Sequence, residues 1–328
     1  MKKITKVISV LLVLALFAAM AIGSGSDKEE KQNEVKTPSS VTSDSQTIES
    51  TATDPKTADE KKTEPKATEK AKQKATEKPS ATIEEAVLLD RDGIKVTAKS
   101  LDMKGSFYGP ELKMLFENNS GKNVTIQARN TSVNGYMIEP MMSVDVASGK
   151  KANDSMSFST SDLTAAGITT IADIEFMFHV FDSETWNDLF NSDTVKIETS
   201  VAKEYNYTFD NSGTQAFNDK GVEIVIKGLA KEDSWLGKEL VVYIHNDSNR
   251  NVTIQARDVS VNGFMVDPVF SCDIAPGKHA IDTITFMSSD LEKNEIKSIE
   301  SVELSFHIFD GDTWNDIVDT PVVTINFN

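Results

Sequence analysis

Cysteine, aromatic residues and positive charge are all scarce in this chain. Its single cysteine, Cys272, among 328 residues cannot close an internal disulfide, which excludes a disulfide-stapled scaffold and a cysteine-based zinc site. Stability must come from packed cores. Lys and Arg number 34 against 51 Asp and Glu, a formal charge of -17. That balance disfavours non-specific nucleic-acid binding, which rests on clustered cations neutralising phosphates. It equally disfavours docking on an anionic membrane surface. Aromatics make up 7% of the chain, and its length accommodates two domains of ordinary size.

The N-terminus follows secretory-signal grammar. Lys2, Lys3 and Lys6 precede an uncharged run over 7–22, and small residues follow. The run is short for a membrane-spanning helix, which needs about 20 apolar residues, and Ala19-Met20-Ala21 fits a signal-peptidase site. A signal peptide is expected at 1–23, and if uncleaved it serves as an N-terminal anchor. The stretch 21–26 also resembles a bacterial lipoprotein junction, with Ser24 where that family has its lipidated cysteine. Without a thiol, lipid attachment should fail. Cleavage removes three lysines and makes the remaining chain more acidic, and an extracellular or cell-surface location is expected.

From 24 to 85 the chain is mostly Lys, Glu, Thr, Ser, Ala, Asp and Gln with scattered Pro. Such a segment buries too little apolar surface to offset backbone ordering and is expected to be a disordered spacer.

An internal repeat dominates the remainder. The segment Asn123-Val-Thr-Ile-Gln-Ala-Arg129 recurs at 251–257, Ser132-Val-Asn-Gly135 at 260–263, and Thr185-Trp-Asn-Asp188 at 313–316, always 128 residues apart. Between 123–145 and 251–273, 15 of 23 positions are identical. Two units are expected at 86–200 and 213–328, too long for solenoid repeats and suited to independent domains. Each reads as seven short antiparallel strands. In the first unit they fall near 94–101, 112–118, 124–133, 137–146, 154–159, 174–181 and 194–199. In the second they fall near 222–229, 240–245, 252–261, 265–274, 282–287, 302–309 and 322–327. Asn134-Gly135 and Asn262-Gly263 supply the positive φ values of two-residue hairpin turns. Ser161-Asp162-Leu163 and Ser289-Asp290-Leu291 should open short helical crossovers, with Ser or Asp capping amides. The pattern predicts an all-β fold of tandem antiparallel β-sandwiches.

The strand with an Asn-rich turn, 115–120 and 243–248, and the tail Phe-Asp-x-x-Thr-Trp-Asn-Asp give a resemblance to a known group. Over 86–328 the sequence resembles the immunoglobulin-like β-sandwich modules of uncharacterised exported proteins and lipoproteins of Gram-positive bacteria. The resemblance implies a surface or binding module without specifying a ligand.

Chemistry-bearing residues are few. His179 and His307 are the equivalent histidines, but neither is accompanied by a nucleophile-elbow serine or a repeated acidic partner, so no catalytic residues are assigned and no enzyme is expected. One His per unit is too few for zinc. Asp310, Asp312 and Asp316 occupy loop positions suited to calcium, although Trp314 and Pro321 break the EF-hand pattern. The other reading of this loop is a capped turn in which Trp186 and Trp314 cover one end of the core. No other cofactor is expected. Cys272 aligns with Val144 and reads as a small buried hydrophobe. A binding patch is expected from Tyr136, Met137, Phe264 and Met265 after the hairpins, with Arg129 and Arg257 beside them. For the two arginines, a structural ion pair is the competing role.

These readings converge on a non-catalytic extracellular or cell-surface binding or adhesion module. A cell-wall glycan or surface protein is the expected partner, without nucleic acid or membrane insertion after cleavage. The alternative is a structural spacer or protein-assembly role. A glycoside hydrolase would require a cleft with paired carboxylates.

Overall fold

The computed structural model describes residues 80–327. The expected signal peptide and the linker to residue 79 lie outside the described residues. The last part of the expected linker is a correction to the reading above. Ala81 is fully buried in the first core, and the Thr82 carbonyl accepts from Ser200 N at 2.8 Å. The packed part therefore begins several residues before 86.

The described chain is nearly all β, in several predominantly antiparallel sheets. The first repeat comprises β1 (Ala86–Arg91), β2 (Ile94–Asp102), β3 (Glu111–Asn118), β4 (Val124–Val133), β5 (Tyr136–Met137), β6 (Pro140–Met141), β7 (Ser143–Val146), β8 (Lys150–Phe158), β9 (Asp173–Asp182), β10 (Asp188–Asn191) and β11 (Val195–Glu198). The second comprises β12 (Thr214–Asp219), β13 (Val222–Leu229), β14 (Gly237–Asn246), β15 (Val252–Val261), β16 (Phe264–Met265), β17 (Ser271–Ile274), β18 (Lys278–Met287), β19 (Ser301–Asp310), β20 (Asp316–Asp319) and β21 (Val323–Asn326). Among the described residues the helices are short: α-helices at Thr160–Ala165 and Ser288–Lys293 and a single 3-10 turn at Ala202–Glu204. Among the described residues no helix is long and apolar enough to cross a membrane.

Alternation builds a sandwich-like arrangement. Leu112, Met114 and Phe116 of β3 turn inward with Ile94 and Val96 of β2, and they share a core with Ile126 of β4 and Phe176, Phe178 and Val180 of β9. The strands β1-β2-β3-β8 and the strands around β9-β4 belong to different sheets, so this core lies between two layers. A second core gathers Ile224, Leu240, Val242, Ile254, Ile284, Phe286, Phe306 and Ile308 in the same manner. Pairing registers recur as well: Val124↔Asp182 through Val133↔Ile174 becomes Val252↔Asp310 through Val261↔Val302, with the bulge at Arg129/Ser132 repeated at Arg257/Ser260.

The hairpin turns follow expectation. Asn134 and Gly135 have φ of +50° and +83°, and Asn262 and Gly263 have +52° and +82°. Each Asn also stitches loops together: Asn134 Oδ1 accepts from Ala172 N at 2.7 Å, and Asn262 Oδ1 from Glu300 N at 2.8 Å.

The expected single strand over 137–146 is instead three pieces. Pro140 lacks a backbone N–H, and there the chain crosses to the other sheet, pairing Pro140 with Phe158 before returning to β4 at Ser143. Helix capping also departs from the expected Ser161 or Asp162. Ser159 caps the first helix through Asp162 N, whereas its counterpart Met287 gives no side-chain cap.

One ten-stranded sheet runs through both repeats. A parallel bridge between Tyr136 and His279 joins β5 to β18, and His279 N donates to the Gly135 carbonyl at 2.9 Å. Segment 203–213, between the two repeat units, packs into this joint. Phe209 stacks on His279 with ring centres 3.6 Å apart, and the Tyr207 hydroxyl donates to Asp173. Lys278 Nζ reaches Glu175 Oε2 at 2.6 Å.

Candidate functional site

Each repeat has a sheet face turned away from its core on β4 and β9, or on β15 and β19. Period-2 alternation places Thr125, Gln127 and Arg129 beside Phe181, His179 and Met177, and sheet pairing adds Asp145 and Ser143 from β7. The second repeat sets Thr253, Gln255 and Arg257 beside Phe309, His307 and Ser305, with Asp273 and Ser271. Except at Met177/Ser305, the two faces carry the same residues. Their local bonds also match: Thr125 donates to Asp145 at 2.5 Å, and Thr253 to Asp273 at 2.5 Å.

The opposite outer faces have diverged. Lys113, Leu115, Glu117, Lys151 and Asn153 of the first repeat stand where the second has Val241, Tyr243, His245, His279 and Ile281. In the first repeat this face carries the Lys151–Glu117 ion pair; in the second, Tyr243 and Ile281 join the first core across the joint. One face thus changed with its packing environment while the other was retained in both copies.

A tryptophan stands over each retained face. Trp186 and Trp314 are 75% and 54% exposed, which corrects the expectation that they close one end of the core. Each stacks on a buried phenylalanine: Trp186 on Phe181 at 5.7 Å and 21°, Trp314 on Phe309 at 5.5 Å and 20°. The loops that hold them are alike. Trp186 N donates to the Asp182 carbonyl and Trp314 N to that of Asp310, both at 2.8 Å. The Asp182 carboxylate accepts from Glu184 N and Thr185 N, and that of Asp310 from Asp312 N and Thr313 N. Those backbone bonds, Thr185 N and Thr313 N foremost, hold both carboxyls below the usual aspartate range. Both tryptophans adopt left-handed backbone, with φ of +59° and +63°. Bulky residues avoid this region, and such outliers concentrate at functional sites.

The histidines lie in the same row and correct the expectation that neither has a repeated acidic partner, since Asp188 and its counterpart Asp316 stand beside them. His179 Nδ1 lies 2.7 Å from Asn191 Oδ1 and Nε2 3.3 Å from Asp188. His307 Nδ1 lies 2.6 Å from Asp319 and Nε2 3.5 Å from Asp316.

The three carboxylates considered for calcium do not converge. Asp310 is occupied by the loop amides, Asp312 accepts from Asn251 Nδ2 at 3.0 Å, and Asp316 faces His307. Among the described residues no group of three or more His, Cys, Asp or Glu is placed to hold a metal ion.

The six residues expected as one binding patch are also dispersed. Tyr136 is 5% exposed, packed on Phe209 and His279, and Met137 packs against the second core. Their counterparts Phe264 and Met265 remain open at 49% and 68%. Arg129 and Arg257 are exposed on the retained faces, and Arg257 donates to Gln255 Oε1 at 2.7 Å rather than to a carboxylate. Cys272 is buried as expected, and burial pushes its thiol well above the ordinary range.

The joint contains a cluster that sequence reasoning missed. His245 and His279 oppose one another on β14 and β18 with rings 4.1 Å apart and 9° from parallel, and Tyr243 Oη lies 2.7 Å from His279 Nδ1. The signal was available: both histidines appear where the first repeat has Glu117 and Lys151. The 330 Å³ cavity beside this joint is lined by Tyr136, Tyr205, Tyr207 and Phe209 among others.

Neither a protein-family model nor a curated protein sequence matches the chain. Among solved structures, the YadV chaperone is 10% identical, covering 72% of this chain and 100% of its own, with a TM-score of 0.23. A protein of unknown function from Porphyromonas gingivalis W83 is 11% identical over 72% of this chain and 100% of its own, with a TM-score of 0.20. Red sea bream transglutaminase is 11% identical over 71% of this chain and 31% of its own, with a TM-score of 0.17. Similarities this low assign neither fold family nor function.

Proposed function

We propose that this chain is a non-catalytic binding or adhesion module of an exported bacterial protein of Gram-positive type, presenting two immunoglobulin-like sandwiches at or beyond the cell surface. The signal grammar of 1–23 and the strongly acidic composition support the location. One observation carries the binding role: the outer faces holding Gln127, Arg129 and Trp186, and Gln255, Arg257 and Trp314, are the same in both repeats while the opposite faces differ. Shared core residues need no function, since packing alone retains them. Arg129, Trp186, Arg257 and Trp314 are exposed and Gln127 and Gln255 only half-buried, so packing does not dictate their identity as it does that of buried Thr125, His179 and Phe181 on the same face. A pure spacer would not require their retention, which places the spacer role second.

The test is co-sedimentation of the whole protein with isolated Gram-positive cell walls, compared with a variant carrying Gln127→Ala, Arg129→Glu, Gln255→Ala and Arg257→Glu. Retention is expected for the protein and about tenfold weaker retention for the variant. Equal retention of both, with matching circular dichroism, would remove the face from the binding role. No retention of either would bring the spacer role forward.

A further inference from the structure

Resting on the reading of the retained faces as binding surfaces, we infer that their ligand is a neutral, β-linked pyranose polysaccharide that stacks on Trp186 and Trp314. Three features of the site point to this chemistry.

The first is the presentation of the ring. Each indole lies within about 20° of parallel to the phenylalanine beneath it, so one face is fixed against the protein and the other is presented to solvent. A pyranose with equatorial hydroxyls has a flat patch of C–H groups that matches such a platform. Aromatic rings serve this purpose at low entropic cost because few side-chain torsions must be fixed.

The second is the polar ground beside the ring. Of the rows running from Phe181 through Thr125 to Asp145 and from His179 through Gln127 to Ser143, Thr125 and His179 are buried and bonded within the protein. Exposed Asp145, Ser143 and Arg129 and half-buried Gln127 offer carboxylate, hydroxyl, guanidinium and amide groups. Both donors and acceptors are present, as a polyhydroxylated ligand requires.

The third is charge. Arg129 is accompanied by Asp145 and Asp188, and Arg257 by Asp273 and Asp316, so neither face offers the cation excess that a phosphate-rich or uronic polymer needs. The overall charge of -17 opposes such polymers further.

Left-handed backbone at both tryptophans reinforces the assignment. Glycine or asparagine would satisfy that loop without strain, yet both copies hold an indole there.

The experiment measures retention of the full chain on insoluble chitin and cellulose, with polyphosphate resin and an immobilised proline-rich peptide as the other arms, in low salt and in 0.5 M NaCl, an ionic strength chosen to shorten the Debye length to about 4 Å. Variants are Trp186→Ala, Trp314→Ala, the double Ala variant and the double Gly variant. Gly relieves the backbone strain and so separates loss of the ring from loss of folding. Expected is salt-resistant retention on at least one neutral polysaccharide, weakened about tenfold or more in both double variants, with single variants between. Three results would overturn the inference: no retention on either polysaccharide, undiminished retention of the double variants, or retention confined to the polyphosphate or peptide arm. If cell-wall retention persists in any of these cases, the binding role stands and only the ligand class falls.

Discussion

A tryptophan held at positive φ works against its own backbone. For an L-residue the left-handed region costs about 1–2 kcal/mol, while ring stacking on Phe181 or Phe309 contributes about 0.5–1.5 kcal/mol. These terms are of similar size and opposite sign. Trp186→Gly should therefore change stability by no more than about 1 kcal/mol, whereas Trp186→Ala retains the strain and loses the stack. The Gly variant should be the more stable of the two by about 1 kcal/mol in urea unfolding; the reverse order would mean that the loop is not strained at this position. Asn118 presents the opposite case. Its buried amide donates to the carbonyls of Lys122 and Val146, both at 2.7 Å, and Asn246 does the same for Arg250 and Ile274. Asn118→Ala removes the amide bonds to both carbonyls, leaving Lys122 O only a long contact from Ser120 Oγ. It should cost about 2–4 kcal/mol, measurable as a fall in the urea midpoint without a change in slope. The Asn-rich turn was visible in the sequence as a motif. Its role was not, because only the fold shows which distant carbonyl each amide reaches.

At the scale of elements, the bridge between β5 and β18 concentrates titratable groups. Burial, then His245 and Lys278, lowers His279 to about 4. Its neutral form is the one the joint accommodates. The sign follows: the contribution of His279 to the joint is complete above its unfolded value near 6.5 and is lost as pH falls toward 4. Tyr243, with its pKa raised chiefly by burial, stays protonated and can donate to His279 Nδ1 through this range. Facing the pair are Glu223 opposite His245, Tyr136 opposite His279, and Asp210 next to the stacked Phe209; Lys278 is held by Glu175. Glu139 and Asp282, both raised chiefly by burial, act in the opposite direction, because their ionisation is what becomes unfavourable as pH rises. Comparison with a variant isolates the histidine. Small-angle scattering of the protein should show a larger radius of gyration near pH 4 than near pH 6.5, with strand content unchanged. His279→Phe, which keeps a ring on Phe209 but cannot protonate, should show a smaller expansion. An identical expansion in both would assign the effect to a carboxylate held below its ordinary range, Glu175, whose burial is outweighed by bonds to Lys278 and Lys196 that are lost on protonation.

How much of an element was legible depended on whether its partner was local. The 128-residue offset and the Asn-Gly hairpins made the strands at 124–133 and 252–261 readable to the residue. The stretch after each hairpin was read as one strand because its alternation continues through Pro140, whereas sheet pairing divides it. The initial strands β1 and β12 were missed because their burial patterns are weakly alternating. The site shows the same division. Trp186, Arg129 and His179 were each noticed, but their presence on one face depends on the β4–β9 register, which no local pattern states. Tyr136 and Phe264 looked equivalent and became opposites, one sealed by the neighbouring repeat and the other open. Equivalence in sequence does not extend to the environment that the second copy creates for the first.

For the molecule as a whole, two retained faces make the strength of binding depend on their number as well as their chemistry. The first belongs to the ten-stranded sheet and the second to the six-stranded sheet, so the joint at Tyr136, Phe209 and His279 governs how they are presented together. If both faces engage one repetitive polymer, the second contact forms at the high effective concentration set by that joint, and avidity can exceed the single-site affinity by about 10²–10⁴. A soluble oligosaccharide short enough for one face should bind with ordinary single-site affinity and a stoichiometry of two. Disabling one face with Trp314→Gly should then halve the stoichiometry on the oligosaccharide and leave the affinity of the remaining site unchanged. On intact walls the same variant should dissociate about 10²-fold faster. Calorimetry and wall-release kinetics on the same two proteins would measure both quantities. Halved stoichiometry with unchanged release would mean that the faces bind independently. In that case the joint orients two separate contacts, and the advantage of the duplication lies in crosslinking different strands of polymer rather than in holding one strand more tightly.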